Sequence, residues 1–176
     1  MKSNHPAKSW QQTFQAFAAS GARALIFVFG LQGSILVAEQ NPEASIHAVL
    51  DGLHESAAAS EMDRYFSHYT NDAVFLGTDA SERWTMAAFK SYAAPAFAEG
   101  RGWTYEVQSR HLIKSDAPGV YGFDEILLNE KLGLCRGSGM VVKAGDRWQI
   151  SHYVLSMLIP NQIAADVGER SKALME

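Results

Sequence analysis

The period of the hydrophobic pattern changes once along this chain, and that change constrains the fold more than any other feature. Before Gly100, apolar residues recur at helical spacing. Ile46, Val49, Leu50, Leu53 and Ala57 form one stripe, opened by Asn41-Pro42-Glu43, a sequence suited to a first helical turn. Met62, Tyr65, Phe66 and Tyr69 form a second, for which Ser60 and Asp63 resemble a capping box. Asn71-Asp72 reads as a turn, Ala73 to Leu76 as a short strand and Gly77 to Trp84 as a polar loop. Thr85 is placed to cap a third helix carrying Phe89, Tyr92 and Phe97, with Pro95 kinking or ending it. After Glu99-Gly100-Arg101-Gly102 the period becomes two. Trp103, Tyr105, Val107, Ser109, His111 and Ile113 share one strand face. Further strands follow at Gly119 to Asn129, Leu134 to Lys143 and Trp148 to Ile159, the last two joined by a hairpin turn at Ala144-Gly145-Asp146-Arg147. Helices first and antiparallel strands after them predict an α+β fold with the helices packed on one sheet face.

Register then predicts which side chains meet. A two-residue turn at Gly145-Asp146 pairs Gly139 with His152, Val141 with Ile150 and Gly137 with Val154. Trp148, Ile150, Val141 and Val154 mark this as the helix-covered face. The two glycines leave a hollow there, and a hollow roofed by helices is a pocket. A turn one residue longer would bring Tyr153 inward in place of His152. The hairpin near Lys131 sets Asp124 beside Arg136 or Ser138, and a one-residue slip would reverse its face.

Charge divides the chain into two parts. All 19 acidic residues lie at Glu39 or later, whereas the first 38 residues carry only Lys2, Lys8 and Arg23. After Ala38 there are 19 acidic and 12 basic residues, a net charge of −7. Such a body has no electrostatic footprint for nucleic acid, whose phosphates demand clustered Lys and Arg. A basic stretch followed by the apolar run Ala24 to Ala38 is the order of a secretory signal. Cleavage near Ala38 would leave a periplasmic or secreted protein. An uncleaved anchor and a misassigned start are the alternatives, and Trp10, Phe14 and Phe17 on one helical face would let an uncleaved arm lie on a membrane or dock on a partner. The expected organisation is an arm over 1–38, a domain over 39–165 and a C-terminal tail over 166–176. Cys135, the single cysteine, excludes an intramolecular disulfide and reads as a core filler.

Several short phrases carry a family resemblance: Phe75-Leu76-Gly77-Thr78-Asp79-Ala80-Ser81-Glu82-Arg83-Trp84, Gly102-Trp103-Thr104-Tyr105, Phe123-Asp124-Glu125, Arg136-Gly137-Ser138-Gly139, Trp148-Gln149-Ile150 and Ile159-Pro160-Asn161. With these phrases, residues 44–161 resemble the SnoaL-like branch of the NTF2-like superfamily, and within it a subgroup of small bacterial proteins without an assigned activity. The resemblance implies a cone-shaped α+β fold, a pocket inside the cone and a homodimer through the sheet. That superfamily includes isomerases, dehydratases and polyketide cyclases, whose catalytic members commonly place an Asp or His in the cone. It also includes non-catalytic binding and dimerisation modules, so the fold does not deliver a function. No complete catalytic motif carries over residue by residue.

Asp124 and His152 are the candidates for proton transfer, an imidazole being a base suited to neutral pH and Arg136 being able to stabilise an oxyanion. The competing role for Asp124 and Arg136 is a cross-strand salt bridge, which would make the carboxylate a poorer base. Arg83, Trp84, Trp103, Tyr105, His111, Arg136 and Ser138 are the candidates for ligand contact. Arg83 would hold an anionic group or else pair with Asp79. Trp84 would wall the pocket or fix its loop, and His111 would serve as a base or as a core histidine. His47, His54 and His68 read as surface or capping groups on helix faces, and the histidine spacing offers no metal site. Ser138 lacks the context of a nucleophile elbow, and Gly137 and Gly139 lie within a strand, so neither a phosphate loop nor a cofactor motif is expected. The expected occupant is a small apolar or mixed-polarity molecule. An isomerase, dehydratase or cyclase acting on it, or a filled cone used only for dimerisation, are the alternatives.

Overall fold

Four helices and six strands follow one another in a computed structural model that describes residues 41–174. The arm expected over 1–38, with its cleavage point, lies outside the described residues. Helix α1 (Pro42–Ala58) begins where the Asn-Pro-Glu signal places it, and the Asn41 side chain accepts from the Glu43 amide at 3.1 Å. Its stripe of Ile46, Leu50, Leu53 and Ala57 is buried. Helix α2 (Met62–Ser67) has no side-chain cap. Ser60, expected to cap it, instead accepts from the Gly102 amide at 2.8 Å. That bond ties the end of α1 to the segment bearing Trp103 and Tyr105. Helix α3 (Met86–Ala98) is capped by Thr85, which accepts from the Ala88 amide, and it continues three residues past Pro95.

The strands are β1 (Tyr69–Leu76), β2 (Arg83–Thr85), β3 (Glu106–Lys114), β4 (Val120–Asn129), β5 (Gly133–Ala144) and β6 (Arg147–Met157). They form one sheet in the order β2-β1-β6-β5-β4-β3, with β1 parallel to β6 and every other pair antiparallel. Strand β1 is longer than expected, because Asn71-Asp72 is absorbed at a register shift rather than forming a turn. The end of the polar loop becomes β2, paired to β1. Helix α4 (Ala164–Ala173) has no buried residue.

Two further register shifts decide what faces the helices. Near the β5–β6 turn the predicted register holds, with Val141 opposite Ile150. The register then shifts by one at Ser151, so Met140 meets His152, Gly139 meets Tyr153 and Gly137 meets Leu155. Gly139 permits the shift, since a Cβ there would collide with the His152 carbonyl. Tyr153 therefore points inward, through a bulge rather than through a longer turn. In β3 the shift lies between Val107 and Ser109, leaving Gln108 as the extra residue. Before it the predicted face holds; after it Arg110 turns inward and His111 outward.

The core lies between α1, α2, α3 and the inner sheet face. It is unusually aromatic, with Tyr65, Tyr69, Phe75, Phe89, Phe97, Tyr121, Phe123 and Tyr153 all buried. Among the described residues no helix is long and apolar enough to cross a membrane.

Candidate functional site

Beneath the helices the sheet leaves a cavity of about 200 Å³. Helix α1 supplies Leu53, His54 and Ala57, and α3 supplies Phe89 and Tyr92. Phe75, Tyr153 and Leu155 form the sheet wall, and Trp84, Trp103 and Tyr105 close the sides. Tyr65 of α2, Gly77, Thr78 and Glu82 from the β1–β2 loop, and Leu132 from the β4–β5 hairpin complete the lining. Trp84 stacks on Tyr92 at 5.1 Å between ring centroids.

The chemistry behind this lining centres on Glu125, a carboxylate with no solvent exposure. One oxygen lies 2.9 Å from His54 Nε2, and the other accepts from Arg110 Nε at 2.5 Å. Arg110, itself buried, donates from Nη1 to Asp51 at 2.7 Å. The Tyr153 hydroxyl approaches the first carboxylate oxygen at 3.4 Å. A buried carboxylate needs a counter-charge and hydrogen bonds to offset its lost hydration, and Arg110 supplies both. With Glu125 ionised, its contact with Nε2 selects the His54 tautomer that carries hydrogen there. The other nitrogen, Nδ1, makes no hydrogen bond among the described residues. A side chain lining the cavity thus has its orientation set from behind and one nitrogen unused, which is how a positioned acid–base group is built.

Gly137 makes this arrangement possible. It pairs directly with Glu125 across β4 and β5. A Cβ at Gly137 would collide with the Tyr153 hydroxyl and crowd the Glu125 carboxylate. The hollow expected from the strand glycines is real, but Glu125 and Tyr153 fill it.

Burial raises four of the phenols in this region. Tyr105 is pushed up to about 12, chiefly by desolvation, with Cys135 and Glu82 adding to the shift. Tyr65, Tyr69 and Tyr153 rise too, in each case mainly through burial. These hydroxyls stay protonated across the ordinary pH range, so each is able to donate a hydrogen bond.

Of the residues expected at the site, Trp84, Trp103 and Tyr105 line the cavity. Asp124 does not: it faces the outer side of the sheet, opposite Ser138 and 3.4 Å from the largely exposed His111. Arg136 and Ser138 share that outer face, because the inward positions of β5 are Cys135, Gly137, Gly139 and Val141. His152 is displaced outward by the β6 bulge, and Arg83 is exposed on β2. Asp79 binds Ser81 rather than Arg83 and is held below the usual carboxylate range by those two hydrogen bonds. His54, expected at the surface, is the imidazole of the cavity. Its signal was the spacing His47, Asp51, His54, which places three polar groups beside the apolar stripe of α1. Among the described residues no group of three His, Cys, Asp or Glu is arranged to hold a metal ion.

Residues 46–160 match the family described as SnoaL-like domain. No curated protein matches the chain. Among solved structures, an NTF2-like protein of unknown function from Pseudomonas putida KT2440 has a TM-score of 0.56 at 10% identity, over 69% of this chain and 92% of that one. A Novosphingobium aromaticivorans protein provisionally named a scytalone dehydratase has a TM-score of 0.57 at 11% identity, over 67% of this chain and 85% of that one. A second protein from that organism, provisionally named an aromatic ring hydroxylase, has a TM-score of 0.55 at 14% identity, over 66% and 89%. At these identities the likeness concerns the fold alone.

Proposed function

Because the chain belongs to the SnoaL-like domain family, we propose that its cone binds a small, mostly apolar molecule and that His54, held by Glu125, exchanges a proton with it. The observation that carries this reading is the 2.9 Å contact between His54 Nε2 and a fully buried carboxylate, at the wall of an aromatic cavity. The pair expected as Asp124 and His152 is replaced by Glu125 and His54. The reaction class is isomerisation, dehydration or cyclisation, each of which needs a proton moved at a bound substrate. A dehydratase name among proteins of similar fold supports that class.

Nitrogen-15 NMR of histidine-labelled protein tests the arrangement. His54 is expected as a single tautomer protonated at Nε2, and Glu125→Gln is expected to release it into tautomer exchange. An imidazole that behaves like exposed His111 overturns the reading. Native mass spectrometry of protein isolated from its source is expected to show a bound small molecule.

A homodimer through the outer sheet face is the second reading. Ile113 and Met140 flank Gly122 there, Leu134 is also exposed, and Asp124 and Arg136 supply opposite charges suited to a two-fold interface. Sedimentation is expected to give a dimer, and Met140→Glu a monomer. Export with cleavage near Ala38 is supported by the basic-then-apolar order of the preceding residues, and intact mass of the mature protein tests it.

A further inference from the structure

We infer that the occupant of the cone is a neutral phenol built on a single planar ring. This inference rests on the proposal that the cone is a ligand pocket, and it follows from ring orientation, volume and polarity together.

Four rings stand nearly parallel along the cavity. Tyr153 and Phe75 are 7° apart, Phe75 and Phe89 are 16° apart, and Phe89 and Trp103 are 15° apart. All four line the cavity. Each ring stacks on the next, with centroids 5.6, 4.1 and 5.9 Å apart, so a guest beside the stack meets ring edges, against which the flat face of an aromatic ring packs and a puckered ring cannot. The cavity of about 200 Å³ is slightly larger than the ~150 Å³ void that holds a benzene. It therefore suits one substituted ring and is small for two fused rings.

The polar groups define the substituent. His54 and Tyr105 share one wall, with ring centroids 6.5 Å apart. With hydrogen on Nε2, as the contact with Glu125 selects, His54 Nδ1 is an acceptor; the Tyr105 hydroxyl can donate, and neither has a partner among the described residues. A hydroxyl is the small group that satisfies both at once, donating to Nδ1 and accepting from Tyr105. Among the described residues no Lys or Arg lines the cavity, whereas Glu82 does. That polarity selects against a carboxylate on the ligand and for an uncharged phenol.

Calorimetric titration of the purified chain with matched probes tests the inference. The probes are 4-methylphenol, toluene, 4-methylcyclohexanol, benzoate and 2-naphthol. Saturable binding of 4-methylphenol is expected, with toluene and 4-methylcyclohexanol each about fivefold weaker or more, and benzoate and 2-naphthol not binding. His54→Gln and Tyr105→Phe are each expected to weaken 4-methylphenol about fivefold and to leave toluene unchanged. Equal binding of 4-methylcyclohexanol overturns planarity, tighter binding of 2-naphthol overturns the single ring, and equal binding of benzoate overturns neutrality. In each of those cases the pocket itself stands. Failure of every probe to bind overturns both the inference and the pocket on which it rests. The ranking on the unmodified chain decides the matter even where a variant does not fold.

Discussion

The two faces of the sheet carry carboxylates one residue apart, and each meets an imidazole. On the outer face Asp124 stands 3.4 Å from His111, with side-chain exposures of 37% and 70%. On the inner face Glu125 stands 2.9 Å from His54, with exposures of 0% and 11%. Both are carboxylate–imidazole pairs, but water screens the first and leaves it two mobile surface groups. The second is held by Arg110 and Tyr153 and opens onto an aromatic cavity. Residue type therefore does not identify a site in this chain; the phase of the strand does.

The largest effect that would break this contrast is loss of Glu125. Glu125→Ala leaves Arg110 buried without its main counter-charge and is expected to cost ~3–5 kcal/mol in chemical denaturation. A cost below ~1 kcal/mol would place Glu125 with the surface groups. Next comes Gly137→Ala, whose methyl group must displace the Tyr153 hydroxyl. Its expected cost is about 1–3 kcal/mol, with release of the His54 tautomer on NMR.

A pH profile reads out a packed imidazole. His68 lies against Gly52 of α1, and its affinity for a proton is lowered from the usual 6.5, first by desolvation and then by Arg64. The unfolded chain then binds the proton more tightly, so stability is complete above the ordinary histidine value and falls as pH drops through the lower folded value. His68→Gln is expected to flatten that slope, and an unchanged slope would contradict the burial of this imidazole. The smallest effect expected is that of Asp124→Asn, within ~1 kcal/mol and without change to the cavity. A large loss there would contradict the assignment of faces.

Much of the fold was legible in local pattern. The α1 stripe, the Thr85 cap, the change of period and the β5–β6 turn all depend on neighbours within a few residues. Glu125 was also legible. Placing Asp124 beside Ser138, with Gly137 and Gly139 inward, already sets Glu125 opposite an inward glycine. The opposite charges of Asp124 and Arg136 point instead to the outer side of that pairing. The inward turns of Arg110 and Tyr153 were not legible, because each depends on one extra residue within a strand. His54 was concealed differently: its spacing with His47 and Asp51 marks a polar face, but its partner lies 71 residues away.

By itself, then, the sequence determined the class of fold, the order of elements, the aromatic core and the presence of a hollow over the β5 glycines. These follow from periodicity, capping and side-chain volume, which act over short stretches of chain. Only the tertiary structure decided which carboxylate fills that hollow and which imidazole it holds. A β-bulge is selected by the fit between neighbouring strands, and a buried charge is tolerated only where distant residues converge to neutralise it.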